Sequence, residues 1–261
     1  MDNTQNQSLS ALLGRAGLDA SATAAMQLTV DNLGPDITAG LGDVDYDDLG
    51  TAEVLLVTQI VDDSGSIRFV AGNTEAVRDG HNMVIDSLNG SKQSAGVLMS
   101  TRLLNRGLLS GYTTLDVVPR LDVHNFNPSG GTPLYDTIKV ALTTVATKMA
   151  DFEQNGVAAR ALTVIVTDGA DNGYTRPKEV LNMIQGLLKT EQHIIAGVGV
   201  ADGSTDFAQV FKEIGILDEW ILTPKNTPSD IRKAFGVISQ SAVRASQTAT
   251  FSQTAMGGFG G

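Results

Sequence analysis

The feature that most constrains the fold is a series of short, uninterrupted apolar runs. The first, VLLVTQIV at 54–61, is too continuous for a strand with one face in water and is typical of a central strand of a parallel sheet. ALTVIVTDG at 161–169 and HIIAGVGVADG at 193–203 repeat the pattern. Helical patterns separate the runs, as in TPLYDTIKVALTTVATKM at 132–149. This alternation predicts an α/β protein with a doubly wound, mostly parallel, Rossmann-like sheet flanked by helices on both faces.

The remaining elements follow from the same patterns. Two further strands are expected at 95–103 and 107–116, and their short connection, LNRG, makes one of them antiparallel to its neighbour. Further helices are expected at 176–189, 207–215 and 229–243, with a last strand at 219–223. Trp220, within this last strand, is expected to pack against the core or at its edge.

Two segments lie outside this alternation of strands and helices. We therefore divide the chain into an N-terminal extension at 1–50, a domain at 51–245 and a tail at 246–261. The extension is expected to be partly helical, because it contains an amphipathic pattern at 9–18 that favours packing on its own domain over packing on a partner. The acidic stretch at 43–54 lacks the glycine and glutamate of a calcium-binding EF-hand loop and is interpreted as a linker. The polar, glycine-rich tail is expected to be flexible.

Charge and composition exclude several classes of function. The chain of 261 residues has 18 basic and 29 acidic residues, a net charge of −11, and no basic cluster, so nucleic acid is not an expected partner. It has no cysteine, which excludes disulfides, thiolate metal sites and cysteine nucleophiles. The first ten residues lack the pattern of a secretory signal, and no window approaches an apolar membrane span. We therefore expect a soluble, cytoplasmic protein with no membrane partner.

Oxygen-bearing side chains gather where two of the apolar runs end. Asp62, Ser64 and Ser66 alternate after the first run, and Asp168 follows the run at 161–169. In a parallel sheet both positions lie at the carboxyl edge, where ligands bind. Two glycines precede Thr132 and permit a backbone path that brings its hydroxyl to the same edge. Oxygen-only ligands select hard cations, so we predict a site for Mg²⁺, with Ca²⁺ or Mn²⁺ as alternatives.

A single Asp or Ser at a strand end is explained by turn propensity, whereas three such motifs in order favour a site. Asp63 and Asp171 are interpreted as solvated acids in loops, and Asn172 as an ordinary loop residue. All three are left out of the predicted ligand set. The three histidines are too scattered in the sequence to suggest a ligand set.

The same residues resemble the von Willebrand factor A (vWA) domain family, in members with a complete metal-ion-dependent adhesion site. That family has Asp-x-Ser-x-Ser after its first strand, matched here by Asp62, Ser64 and Ser66. It has a threonine in a second loop, matched by Thr132 within GGTPLYD, and an aspartate opening a third, matched by Asp168 within VTDG. The resemblance covers roughly residues 52–240. The sequence is similar to bacterial intracellular members, including those encoded with tellurite-resistance systems or with MoxR-type AAA+ ATPases.

The resemblance implies a particular chemistry. In the family, hydroxyls hold the metal directly, one or both aspartates act through water, and a glutamate or aspartate of a partner protein completes the coordination. It therefore implies a metal-dependent protein–protein interaction module, an adaptor or scaffold and not an enzyme. The partner would be a protein presenting Asp or Glu, such as an AAA+ ATPase or copies of the chain itself.

Two other functions are alternatives. The first is a self-assembling structural component, in which an acidic residue of one subunit enters the metal site of the next. The second is a Mg²⁺-dependent phosphohydrolase of the haloacid dehalogenase type, which needs a second aspartate two positions after the nucleophile, where this chain has Ser64. The chain also lacks a phosphate-binding Gly-Lys-Ser loop and a Gly-x-Ser-x-Gly elbow.

Overall fold

A computed structural model describes residues 3–44, 47, 49–248, 251–252, 254 and 256–260. Two helices precede the first strand: α1 (Asn3–Leu13) and α2 (Ala20–Leu41). The elements that follow are β1 (Glu53–Val61), α3 (Asn73–Asn89), β2 (Val97–Leu103), β3 (Gly107–Thr114), α4 (Leu134–Gln154), β4 (Ala158–Thr167), α5 (Pro177–Leu188), β5 (His193–Gly199), α6 (Phe207–Glu213), β6 (Ile221–Leu222) and α7 (Pro228–Gln247). Within these described ranges, no helix has the length and apolar character needed to cross a bilayer.

The strands of the described chain form one sheet in the order β3-β2-β1-β4-β5-β6. Every pairing is parallel except that of β2 with β3, which is antiparallel as the short connection predicted. The doubly wound α/β prediction is therefore confirmed. The strand order reverses at β1, which pairs with β2 on one side and β4 on the other. A reversal of this kind opens a crevice at the carboxyl ends of the two central strands.

Helices cover both faces of the sheet. On one face α3 and α7 pack against each other and α7 contacts β1 and β4, while on the other face α4 contacts β1 and β4. The helix α4 is buried on nearly all sides, because α2 packs over it on the side away from the sheet. The sheet is thus enclosed on both faces, which fits its nearly continuous apolar strands.

The N-terminal segment forms part of this helical layer. Met26, Val30 and Ile37 of α2 are fully buried in the main core, and α2 packs against α4 and α5. The sequence pattern indicated only the short amphipathic stretch at 9–18, because α2 carries a proline and leaves helical geometry at Leu33 (φ −130°, ψ 26°). Residues 45, 46 and 48 of the predicted acidic linker lie outside the described residues, so that interpretation stays a prediction.

Three large side chains of the tail, Phe251, Met256 and Phe259, pack on the core. Phe251 and Met256 are buried, and the Phe251 ring lies 5.1 Å from the guanidinium of Arg160. Phe259 packs on the fully buried Trp220, with ring centroids 5.3 Å apart. This packing differs from the flexible tail that the composition indicated, because a few large side chains supply apolar contacts that the surrounding Gly, Ser and Thr lack. The last helix also continues to Gln247, past its expected end at 243 and the expected domain boundary at 245.

Candidate metal site

The two predicted aspartates lie at the point where the strand order reverses. Asp62 directly follows β1 and Asp168 directly follows β4, and these two strands are parallel neighbours. The backbone N–H of Asp62 donates to the carbonyl of Val166 at 2.9 Å, which continues the pairing of the strands up to the edge. The two carboxylates therefore meet at the carboxyl edge of the sheet, as the apolar runs predicted.

Three oxygens at this edge form a small triangle. The Ser66 hydroxyl donates to Asp168 Oδ1 at 2.7 Å, and the Ser64 hydroxyl lies 3.4 Å from the same oxygen. The two hydroxyl oxygens are 2.9 Å apart. An octahedral Mg²⁺ site with metal–oxygen distances of about 2.0–2.1 Å has adjacent oxygens about 2.9 Å apart. Two of the three oxygen–oxygen distances, 2.7 and 2.9 Å, are close to that spacing, and the third, 3.4 Å, is longer.

Asp62 orients the loops around the triangle. Its Oδ1 accepts a hydrogen bond from the backbone N–H of Ser64 at 2.7 Å. Its Oδ2 accepts from the Thr167 hydroxyl at 2.6 Å and from the backbone N–H of Asp168 at 3.4 Å. Burial raises the pKa of this carboxyl, against the lowering effect of these hydrogen bonds. With the side chain fully buried, Asp62 ties the first loop to the third.

Thr132 reaches the same place from the second loop. Gly130 has φ +89°, which favours glycine, and its carbonyl accepts from the backbone N–H of Gly65 at 3.2 Å. Thr132 Oγ1 lies 2.9 Å from the position that a Cβ atom on Gly169 would occupy, so it faces the residue after Asp168. The structure brings the five predicted residues together at one edge. That they bind a metal stays a prediction.

Asn172 holds Thr132 in place, a role that the sequence reasoning missed. Its side-chain Oδ1 accepts from the backbone N–H of Thr132 at 2.8 Å, and its own backbone N–H donates to the Thr132 carbonyl at 2.9 Å. Only the folding of the third loop back onto the second reveals this pair of bonds. The one hint in the sequence is that Asn172 follows Asp168 by four residues in a loop rich in Asp and Gly.

The interpretation of Asp63 as a solvated loop acid is wrong. Its side chain is buried, and Oδ1 accepts from the backbone N–H of Asn105 at 2.7 Å and from its side-chain amide at 3.2 Å. Oδ2 lies 3.3 Å from the donating backbone N–H of Arg106. Asp63 therefore fixes the β2–β3 turn beside the first loop, and its carboxylate belongs to that turn and not to the oxygen triangle.

Replacing Asp63 with alanine is expected to lower the free energy of unfolding by about 1–3 kcal/mol, because the N–H groups of Asn105 and Arg106 lose a buried, charged acceptor. Urea denaturation of the metal-free protein measures the change. Asp63→Asn, which keeps one acceptor oxygen, should cost less than Asp63→Ala. Equal stability of the alanine variant and the wild type would show that the turn does not depend on this carboxylate.

Asp171 is also structural rather than a free loop acid. It is half-buried, and its Oδ1 accepts from the backbone N–H of Tyr135, in the first turn of α4, at 2.9 Å. Its Oδ2 accepts from the backbone N–H of Gly173 at 3.1 Å. The start of α4 and the loop after β4 are therefore joined by this side chain as well as by Asn172.

Burial shapes the charge state of the site. Burial and, to a smaller extent, the nearby Asp62 carboxylate together raise the pKa of Asp168 to about 6, against the lowering effect of the hydrogen bonds from Ser66 and Ser64. The raised pKa values of Asp62 and Asp168 mean that the folded state disfavours the ionised form of both carboxyl groups, so their negative charges lower the stability of the fold. A bound dication would offset that cost.

The raised pKa of Asp168 predicts a pH dependence in the metal-free protein. Between the ordinary carboxyl pKa and about 6 the folded state keeps a proton that the unfolded state has lost, so this group's contribution to stability falls as pH rises through that range. Asp168→Asn removes the titration. Relative to the wild type, the variant should therefore gain stability as the pH rises from about 4 to about 6.5, with no further gain above that, as measured by urea denaturation in EDTA. A constant difference across that range would contradict the raised pKa.

The fold is shared with known vWA domains. No protein-family model matches the chain, and no curated protein sequence matches it. Among solved structures, the SpRpn10 VWA domain is similar with a TM-score of 0.50 and 12% identity, over 71% of this chain and 95% of that domain. The pilus adhesin SpaC from Lactobacillus rhamnosus GG is similar with a TM-score of 0.54 and 11% identity, over 74% of this chain. The chain spans 30% of the length of that adhesin. The sheet and its helical layers are those of the vWA fold.

Proposed function

We propose that this chain is a metal-dependent protein-interaction module of the vWA type. Ser64, Ser66 and Thr132 would hold a divalent cation through their hydroxyls, with Mg²⁺ favoured over Ca²⁺ and Mn²⁺, and Asp168 and Asp62 would balance its charge. When bound, the cation would offer a coordination position to the carboxylate of an Asp or Glu on a partner protein. The resemblance to bacterial intracellular members makes an AAA+ ATPase one candidate partner, and a second copy of the chain is another.

The observation that carries this proposal is the oxygen triangle of Ser64, Ser66 and Asp168 at the carboxyl edge. Among the described residues, no group of three or more His, Asp or Glu side chains is arranged to hold a metal. Any ion at this edge would therefore depend on hydroxyl oxygens. The two carboxylates of Asp62 and Asp168 neutralise the charge of a dication without reversing it. A further carboxylate, from a partner, would therefore still be attracted to the ion.

The geometry of Asp62 argues against a phosphohydrolase. A nucleophilic aspartate needs an exposed carboxylate oxygen, whereas Asp62 is fully buried and both of its oxygens accept hydrogen bonds. Ser64 stands where a dehalogenase-type enzyme has its acid–base aspartate. We therefore infer a binding function and not turnover. Hydrolysis of p-nitrophenyl phosphate that depends on Mg²⁺ and is lost in Asp62→Asn would contradict this inference.

Affinity capture from the native cytoplasm tests the interaction. The wild-type chain is used as bait in Mg²⁺ and in EDTA, and a Thr132→Ala bait is used in Mg²⁺. We expect proteins that are retained by the wild type in Mg²⁺ alone. The same set of proteins in all three samples would contradict a metal-dependent interaction.

A further inference from the structure

The candidate metal site is flanked by two exposed aromatic side chains. Phe69 is 82% exposed and Tyr174 is 99% exposed, although large apolar surfaces are usually buried. Both lie on loops that carry site residues, Phe69 after Ser66 and Tyr174 after Asp168. We call these two residues the aromatic flanks.

Chain geometry places the aromatic flanks close to the site. Ser66 and Phe69 belong to one 3-10 helix (Gly65–Phe69), in which side chains three residues apart lie above one another at about 6 Å. Tyr174 follows Asn172, the residue doubly hydrogen-bonded to Thr132, by two positions, which span at most about 7 Å. A partner carboxylate that reaches the site would therefore bring its neighbouring side chains against Phe69 and Tyr174.

A surface of matching chemistry exists on α2. The exposed residues Ala24, Leu28 and Asp31 follow one another at spacings of four and three before the kink at Leu33, so they form one stripe along this part of the helix. We call it the α2 stripe. Leu28 is 56% exposed, and Leu33, at the kink, is 38% exposed. Asp31 is the acid of this otherwise apolar stripe, and its carboxylate accepts a hydrogen bond from Gln27 at 2.9 Å.

We propose that the carboxylate that completes the metal site is Asp31 of a second copy of this chain, with Leu28 packing on the aromatic flanks. The inference rests on the proposed metal-dependent function. The α2 stripe presents an acid among apolar side chains, and the metal site would present a dication between the aromatic flanks. The two surfaces are therefore complementary both in charge and in apolar contact.

The two surfaces point in different directions. The α2 stripe lies on the outer helical layer over α4 and α5, whereas the site opens at the carboxyl edge of the sheet. The contact is therefore heterologous, head to tail, and each copy can donate Asp31 to one neighbour while receiving it from another. Such a contact builds rings or open chains of subunits.

Sedimentation velocity tests the inference with four forms of the full chain. At about 100 µM the wild type should form species larger than a monomer in Mg²⁺ and revert to a monomer in EDTA. Asp31→Asn should weaken this association by at least about 100-fold while Mg²⁺ binding in calorimetry is kept. Asp79→Asn, an exposed acid on α3, is the matched control and should assemble like the wild type. Thr132→Ala should stay monomeric.

Mixing two variants gives the sharpest result. Asp31→Asn keeps an intact site and lacks the donor, whereas Thr132→Ala keeps the donor and lacks a complete site. Each should be monomeric alone in Mg²⁺, and together they should form a complex of one copy of each that cannot grow. A mixture that stays monomeric, or an Asp31→Asn variant that assembles like the wild type, would overturn the inference. If calorimetry shows Mg²⁺ binding in those samples, the proposed metal site survives; if the wild type binds no Mg²⁺, the proposed function itself fails.

Discussion

Thr132→Ala is expected to weaken Mg²⁺ binding by at least about 100-fold, since even residues that only support metal ligands contribute 10- to 100-fold to affinity. Thr132 supplies the hydroxyl of the second loop, and its backbone is held by Asn172 independently of its side chain. Calorimetric titration with MgCl₂ measures the loss directly. Far-UV circular dichroism should match that of the wild type.

Thermal unfolding gives a second readout of the same change. With Mg²⁺ at about 100 times the wild-type dissociation constant, the wild type should gain about 3 kcal/mol of stability, whereas Thr132→Ala should gain at most about 0.4 kcal/mol. Thr132→Ser, which keeps the hydroxyl, is the matched control and should retain most of the gain. Wild-type affinity in Thr132→Ala would remove this residue from the site.

The second large effect is expected in the core, where α3 and α7 approach closely at Gly80. A Cβ atom on Gly80 would lie 2.1 Å from Cδ2 and 2.8 Å from Cβ of Phe235, a ring that is itself buried. Both helices must therefore shift to accept Gly80→Ala, and we expect a loss of about 3 kcal/mol or more in the free energy of unfolding. Urea denaturation measures it.

Gly236, the neighbour of Phe235 on α7, provides the matched control. A Cβ atom there would meet nothing within 4 Å, so Gly236→Ala should stabilise the protein by about 0.5–1 kcal/mol through helix propensity alone. If the free energy of unfolding falls for Gly80→Ala and rises for Gly236→Ala, close packing determines the effect at Gly80. A stable Gly80→Ala variant would show that α3 and α7 can separate at little cost.

The central sheet could be predicted because each of its strands is marked by a short, continuous apolar run in the sequence. The continuous apolar runs at 54–61 and 161–169 became β1 and β4, and the residues that end them lie at one edge because neighbouring parallel strands end together. That rule places Asp62 and Asp168 at the same edge, and the pairing of β1 with β4 in the structure makes them neighbours. The place of Thr132 depended on a motif, GGTPLYD, whose glycine at 130 has the positive φ that the path needs.

Other features could not be read from the sequence because they depend on distant contacts. The carboxylate of Asp63 is buried by a turn 42 residues further along the chain, and Asn172 acts on Thr132 across 40 residues. The α2 helix was missed because Pro35 interrupts its pattern and its outward face carries Leu28. The tail was interpreted from its Gly and Ser content, although its few large side chains determine where it packs.

Crystals grown with MnCl₂ and measured at the manganese absorption edge test the central claim most directly. We expect an anomalous peak within coordination distance of the hydroxyl oxygens of Ser64, Ser66 and Thr132, with Asp62 and Asp168 turned toward it directly or through water. An ordered edge of the sheet with no anomalous peak among these five side chains would contradict it.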